Sequence, residues 1–193
     1  MKPDHPKLIR IAHRLAATID PDSCAVAGAM AVAVHGYARA TADVDLVSRL
    51  PLPEARRRLA DHGVKTTLER GDVREADFDC LKGVLDGIEF DILPPLVPID
   101  WESAVNVPLG RGETLKFVDL PTLIHLKLRA GGPQDVLDVV MLLQRHPAEV
   151  GRARELATAY GVAAQLESFM ESPRVKAKAS GTQGRGARRA KKS

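Results

Sequence analysis

Two aspartates spaced two residues apart, Asp43 and Asp45, form the pattern in this chain that most clearly suggests chemistry. In a strand, side chains alternate between two faces, so both carboxylates would share one face while Val44 and Leu46 share the other. Adjacent carboxylates repel, and each raises the proton affinity of the other. A divalent cation removes this conflict, and Mg²⁺ commonly takes one or two carboxylates together with substrate phosphates. The pair therefore suggests a metal site for phosphoryl or nucleotidyl transfer; the alternative is two solvated polar residues at a strand edge.

The segment before the acidic pair has the pattern of a phosphate-binding turn. Residues 24–29 are small and apolar around Gly28, and residues 30–36 predict a short helix closed by a C-terminal glycine. A glycine between a strand and a helix lets a phosphate approach backbone N–H groups. The order of strand, glycine turn, helix, loop and acidic strand would place a phosphate cradle next to the metal site.

Together these residues resemble the signature of the nucleotidyltransferase superfamily, in which a glycine followed by Gly or Ser precedes an Asp-x-Asp strand. The matching positions are Ala27, Gly28, Ala29, Ala31, His35, Gly36, Arg39, Thr41, Asp43, Asp45 and Leu46. The Arg-x-Thr before the acidic pair is similar to the abortive-infection (AbiEii-type) and related minimal nucleotidyltransferases, which are often toxin components of toxin–antitoxin pairs. Ala29 departs from the pattern, because it keeps the backbone N–H but lacks a serine hydroxyl.

The resemblance implies a third carboxylate on a later strand. Residues 88–93 alternate apolar and acidic side chains before two prolines end the strand. Asp91, deep in the apolar run, is the candidate, and Glu89, one alternation earlier on the same face, is the alternative. The resemblance then implies that Asp43, Asp45 and Asp91 bind two Mg²⁺ ions and catalyse an in-line displacement on an NTP.

The resemblance also assigns contacts to the nucleotide. Gly28 and Ala29 would supply the backbone cradle, and Arg39 would either neutralise phosphate charge or pair with a strand carboxylate. Lys127 matches a family lysine and could reach the triphosphate as a point charge. The alternative is that Lys127 is a helix lysine at the margin of the core.

Two downstream helices complete the matching region, which covers residues 22–145. The first helix is predicted over 121–131, and the second follows Gly132, near where the family commonly has an arginine. Asp135 and Asp138 are interpreted as residues that cap or brace these helices rather than bind metal, since negative charge is favoured in a first helical turn.

Composition fits a nucleotidyltransferase-like domain over residues 1–172, with a C-terminal helical part over 146–172. The chain has 193 residues, of which 45% are hydrophobic. Residues 174–193 contain eight Lys or Arg and no Asp or Glu, which leaves 20 basic against 25 acidic residues in the rest of the chain. A tail over 173–193 is therefore predicted to be disordered. It could bind nucleic acid through phosphate charge, or simply solvate the chain end.

The expected acceptor is a hydroxyl of RNA such as tRNA, of a protein or of a small molecule, and the basic tail slightly favours RNA. The alternative is a catalytically inactive binding or regulatory protein of the same fold, or an interaction partner in a toxin–antitoxin pair. Cys24 and Cys80 lie in apolar surroundings without Cys-x-x-Cys spacing, so buried thiols in a reducing cytosol are expected. With no long apolar run and no N-terminus resembling a signal peptide, the prediction is a cytoplasmic protein without membrane contact.

The predicted fold class is α/β or α+β, and the resemblance implies a mixed sheet containing antiparallel strands, with flanking helices. Helices are predicted over 6–19, 51–62, 101–105 and 153–170, the last with a break at Gly161, strands over 64–68, 78–85 and 88–93, and a hairpin turn at 109–114.

Overall fold

The computed structural model describes residues 5–71, 79–96 and 99–171. The chain divides into two compact units, Met1–Leu123 and Ile124–Ser193. The interpretation of residues 1–172 as one domain stays a prediction. The predicted basic tail lies outside the described residues, as does Phe78 at the start of one predicted strand.

The first unit contains the sheet. Its elements, in chain order, are α1 (His5–Ile19), β1 (Cys24–Val26), α2 (Gly28–Val34), β2 (Val44–Ser48), α3 (Leu52–Asp61), β3 (Thr66–Glu69), β4 (Cys80–Leu85), β5 (Ile88–Leu93), β6 (Val105–Gly110), β7 (Glu113–Phe117) and the start of α4 (Leu120–Ala130). None of the helices within the described ranges has the length and apolarity that crossing a bilayer would require.

Within the described residues, seven strands form one sheet in the order β3-β4-β5-β2-β1-β7-β6. The pairs β2–β5 and β1–β7 are parallel, and the other neighbours are antiparallel. The predicted fold class, a mixed sheet with flanking helices, is confirmed.

Buried apolar side chains alternate with partly exposed ones in β5 and at the start of β2, where Val44 and Leu46 flank Asp45; Val47, on the Asp45 side, is buried too. Val44, Leu46, Phe90 and Ile92 are at most 1% exposed. Helix α1 contacts β1 and β2, and α3 contacts β3 and β4. Burying one such side chain stabilises the fold by about 1.5–3 kcal/mol. Because side chains alternate with a period of two, this burial decides which face the remaining residues of β2 and β5 occupy.

The prediction of a short helix over residues 101–105 is wrong. Asp100 Oδ1 accepts hydrogen bonds from the backbone N–H groups of Glu102 at 3.1 Å and Ser103 at 3.2 Å. Such a side-chain turn offers the backbone an alternative to helical hydrogen bonds. The chain then enters β6 at the last residue of the predicted helix.

Four further predictions for this unit are confirmed to within a few residues: the helices over 6–19 and 51–62, the strand over 88–93 and the hairpin turn at 109–114. The strand predicted over 64–68 begins later, at Thr66. The reason is that the backbone N–H of Val64 still donates to the carbonyl oxygen of Leu59 at the end of α3.

The second unit is helical within the described residues. After the remainder of α4 it contains α5 (Pro133–Arg145), a short 3₁₀ turn (Pro147–Glu149), α6 (Val150–Ala159) and α7 (Ala163–Glu171). The predicted break at Gly161 is confirmed. Gly161 has φ of +73°, a left-handed conformation that glycine adopts without strain.

A buried ion cluster joins α4 to α5. Lys127 Nζ lies 2.7 Å from Asp135 Oδ1 and 3.2 Å from Asp138 Oδ2. Asp138 also accepts a hydrogen bond from Gln134 at 3.0 Å, and Asp135 accepts one from the backbone N–H of Gly132 at 3.0 Å. The prediction that both aspartates brace these helices is confirmed.

Removing one carboxylate from this cluster should destabilise the protein strongly. Asp138→Ala removes one of the two carboxylates that balance the buried charge of Lys127. We expect a loss of about 3 kcal/mol in the free energy of unfolding. The control is Asp61→Ala, which breaks the exposed pair with Arg57 and should change stability by less than about 1 kcal/mol. Urea unfolding followed by circular dichroism measures the stability loss of each variant. Equal losses would show that the buried cluster contributes no more to stability than the exposed pair.

His125 is a buried imidazole in α4. It is 1% exposed, and neither ring nitrogen has a hydrogen-bond partner within the described part of the chain. Its ring meets Tyr160 edge to face, with the centroids 5.5 Å apart. Burial, and after it the charge of Arg129, lowers the pKa of His125 to about 4. The folded state therefore holds this imidazole neutral at pH 7.

This burial predicts a pH dependence of stability. The pKa of His125 is lower in the folded state than in the unfolded state, so unfolding takes up a proton between about pH 6.5 and 4. The contribution of His125 should be constant above pH 6.5 and should be lost as the pH falls towards 4. His125→Phe keeps an aromatic ring against Tyr160 but does not titrate, so its stability should decline less between pH 7.5 and 5.0. If the free energy of unfolding, measured in urea, fell equally for both proteins over this pH range, His125 would not be the cause of the pH dependence.

Candidate active site

Two of the predicted carboxylates lie side by side on neighbouring parallel strands. Asp45 of β2 and Asp91 of β5 are register partners, and partners in a sheet point to the same face. Since Leu46 and Ile92 occupy the buried face, Asp45 and Asp91 lie on the opposite face, where both are half-buried. Adjacent strands are about 4.8 Å apart, so the backbone brings the two carboxylates within reach of one cation.

Asp43 lies one residue before β2 and is exposed. Its Oδ1 accepts a hydrogen bond from Thr41 Oγ1, which restrains the carboxylate. Burial raises the pKa of Asp91, the charge of Asp43 raises it further, and the charge of Lys82 opposes the shift. The predicted residues Asp43 and Asp91 therefore lie near enough for their charges to interact.

The chemistry of these donors fits a magnesium ion that is completed by substrate. Across the described ranges, no group of three or more His, Cys, Asp or Glu side chains is arranged to hold a metal ion by itself. Mg²⁺ at nucleotide sites needs fewer protein ligands, because it keeps waters and binds phosphate oxygens. Asp45 and Asp91 are oxygen donors whose charges conflict, and a cation between them would relieve that conflict.

The backbone of Gly28 packs against the side chain of Asp45. It follows β1 at the start of α2 with φ of +54°, a left-handed conformation that favours glycine. A Cβ on Gly28 would lie 1.7 Å from Asp45 Oδ2 and 2.9 Å from Asp45 Cβ. The Asp45 carbonyl also accepts a hydrogen bond of 2.9 Å from the backbone N–H of Ala27. The predicted turn and the predicted carboxylate are thus in direct contact.

The other predicted nucleotide contacts are placed as follows. Ala29 is buried in the first turn of α2. Arg39 lies half-buried in the loop between α2 and β2, where its Nη1 donates to the carbonyl of Ala40 at 3.2 Å. Lys127 lies in the second unit, where it is 8% exposed and bound to carboxylates. Its contact with a triphosphate stays a prediction.

Two charged residues near the third carboxylate, Lys82 and Glu69, were not predicted from the sequence. Lys82 of β4 is the register partner of Asp91, with Nζ 3.7 Å from Asp91 Oδ2 and 3.2 Å from Glu69 Oε2 on β3. The hydrogen bond to Glu69 and the charge of Asp91 raise the pKa of Lys82. No local motif marks these residues, because their proximity depends on the antiparallel register of three strands.

Comparisons with known proteins identify the fold. No protein-family model and no curated protein matches the sequence. The structure is similar to the crystal structure of ANT(2'')-Ia in complex with adenylyl-2''-tobramycin, with a TM-score of 0.56 and 12% identity over 80% of this chain and 97% of that one. The solution structure of the antibiotic-resistance factor ANT(2'')-Ia gives a TM-score of 0.50 and 15% identity over 95% and 99% of the two chains.

A protein of Thermotoga maritima assigned to the nucleotidyltransferases is also similar, with a TM-score of 0.52 and 15% identity over 74% of this chain and 96% of that one. At such identities the similarity shows the fold alone. The chain has the fold of these nucleotidyltransferases, as the sequence resemblance predicted. The likeness to AbiEii-type proteins stays a prediction.

The contact between Gly28 and Asp45 can be tested by substitution. Gly28→Ala adds a Cβ that collides with the Asp45 side chain and also forces a non-glycine residue to a positive φ. The matched control is Gly63→Ala, where φ is +75° but a Cβ would meet nothing within 4 Å. We expect Gly63→Ala to cost about 1–2 kcal/mol and Gly28→Ala to cost about 1–3 kcal/mol more. Equal costs in urea unfolding would show that the collision is relieved at no energetic cost.

Proposed function

We propose that the protein is a Mg²⁺-dependent nucleotidyltransferase that transfers an NMP from an NTP to an acceptor hydroxyl. The observation that carries the proposal is the register of Asp45 with Asp91 on a half-exposed face, with Gly28 against Asp45. In this reaction the acceptor oxygen bonds to the α-phosphorus, the bond from that phosphorus to the bridging oxygen breaks, and pyrophosphate leaves.

The proposed roles follow from position and charge. Bound Mg²⁺ would neutralise phosphate charge and polarise the reacting phosphoryl group. Asp43 and Asp45 would hold the cation, with Thr41 restraining Asp43. Asp91 would complete the site and accept the proton of the acceptor hydroxyl. A carboxylate placed beside the acceptor hydroxyl can act as its general base.

The phosphates would lie on the Gly28 side of Asp45. The absence of a Cβ at Gly28 lets the Asp45 carboxylate pack directly against its backbone, and the backbone N–H groups of Gly28 and Ala29 would contact phosphate oxygens. Arg39, in the loop that leads to Asp43, would neutralise phosphate charge.

The acceptor is proposed only as a hydroxyl compound: RNA such as tRNA, a protein or a small molecule. The ligand named for ANT(2'')-Ia is an adenylylated aminoglycoside, so aminoglycosides belong among the acceptors tested. A toxin role would follow if the acceptor were tRNA or a cellular protein and a neighbouring gene product suppressed the transfer.

Transfer of label tests the proposal. The protein is incubated with α-³²P-labelled NTPs, Mg²⁺ and, separately, total tRNA, cell extract protein and aminoglycosides. We expect label on one acceptor class, and no label when the ³²P is at the γ position. Asp45→Asn and Asp91→Asn should each reduce transfer by at least about 100-fold, since each removes a charge at the reacting centre. EDTA should abolish it.

Glu89→Gln is the matched control, because Glu89 lies two residues before Asp91 on the same face and is the alternative third carboxylate. It should retain transfer within about threefold. Mg²⁺-dependent stabilisation by NTP in thermal denaturation provides a second measurement, following the linkage between binding and stability. Transfer that survives Asp45→Asn would overturn the proposed site. A flat thermal response without transfer would favour the inactive binding protein.

A further inference from the structure

The side chain of Lys82 connects the third carboxylate of the candidate site to Glu69, a residue with no place in the proposed chemistry. Thr67, Lys82, Asp91 and Asp45 form one row across β3, β4, β5 and β2 by register. Glu69 is two residues after Thr67 on the same face. The Lys82 ammonium therefore has two carboxylate partners, Glu69 Oε2 at 3.2 Å and Asp91 Oδ2 at 3.7 Å.

The position of this ammonium matters for any cation that approaches Asp91. A positive charge 3.7 Å from the Asp91 carboxylate repels a divalent ion that would bind the same group, and at such distances the interaction is sizeable even in water. The Lys82 side chain is 45% exposed and Glu69 is 55% exposed, so the side chain has room to exchange partners. Glu69 is the nearer partner, which gives the ammonium a place to remain when Asp91 is taken by a cation.

We propose that Lys82 is a positioning residue that sets the affinity of the Asp43, Asp45 and Asp91 site for divalent cations by pairing alternately with Asp91 and Glu69. Without a cation, Lys82 shares its charge between Asp91 and Glu69, as it does in this structure. With a cation bound, Lys82 stays on Glu69. The inference rests on the proposed function, because it requires the three aspartates to bind a divalent ion.

Binding of Mn²⁺ to the protein, measured alone and with a saturating non-hydrolysable NTP analogue, tests this directly. The free ion is counted by its electron paramagnetic resonance signal during titration of the full chain, so the readout does not depend on activity. Lys82→Met removes the competing charge and should lower the Kd for Mn²⁺ by about fivefold. Lys82→Arg keeps the charge and should bind Mn²⁺ nearly as the unmodified protein does. Lys82→Gln serves in place of Lys82→Met if the methionine variant does not fold.

Substitution of Glu69 should change the Kd for Mn²⁺ in the direction opposite to substitution of Lys82. Glu69→Gln deprives Lys82 of its second partner, so the ammonium stays on Asp91 and the Kd for Mn²⁺ should rise by about threefold. Placed in the Lys82→Met background, Glu69→Gln should have a much smaller effect, because the two residues act as a coupled pair. The charge control is Lys65→Met. Lys65 is exposed and forms no ion pair within residues 5–71, 79–96 and 99–171, so Mn²⁺ binding should not change.

The outcomes separate this inference from the proposed function. Mn²⁺ binding that Asp45→Asn abolishes and Lys82→Met leaves unchanged would overturn the inference and leave the metal site intact. An equal effect of Lys65→Met and Lys82→Met would also overturn it, because the cause would be overall charge. If the unmodified protein bound no Mn²⁺ either alone or with the NTP analogue, the metal site itself would fail, and the inference with it.

Discussion

The parallel pairing of β2 with β5 is the constraint on which the candidate site depends. It places Asp45 directly beside Asp91, an arrangement that like charges oppose by about 0.2–1 kcal/mol. The same pairing buries Val44, Leu46 and Phe90 on the opposite face, and each contributes about 1.5–3 kcal/mol. Burial therefore outweighs repulsion. A shift of one residue would exchange the faces, so the hydrophobic core holds the two carboxylates together against their charge.

Two of the carboxylates are each compensated by a side chain of a different neighbour. Thr41 donates a hydrogen bond to Asp43, and Lys82 forms an ion pair with Asp91. Asp45 is held through its backbone carbonyl and packs against Gly28. The protein thus stabilises Asp43 and Asp91 separately, each through its own neighbouring side chain. These contacts offset part of the repulsion between the acidic side chains.

The sequence predicted what depends on local pattern. The alternation around Asp43 and Asp45 and the glycine turn at Gly28 are readable within short segments, and the structure brings them into contact. Asp91 needed the family resemblance, because local alternation does not say which strand lies next to β2. Lys82 could not be found at all, since its partner is set by the register of β4 against β5. The helix predicted at 101–105 failed because the turn formed by Asp100 competes with helical hydrogen bonds.

The face that extends from the site bears on the acceptor. Within the described residues, the row beyond Asp91 across β4 and β3 presents Lys82 beside Glu69, with Glu89 two residues before Asp91 on the same face. This face carries more negative than positive charge, so it offers a polyanion little electrostatic attraction. The predicted preference for RNA therefore depends on basic residues elsewhere, above all on residues 174–193. A cationic hydroxyl compound would meet no such requirement, because the acidic face attracts it, and a neutral one would not be repelled.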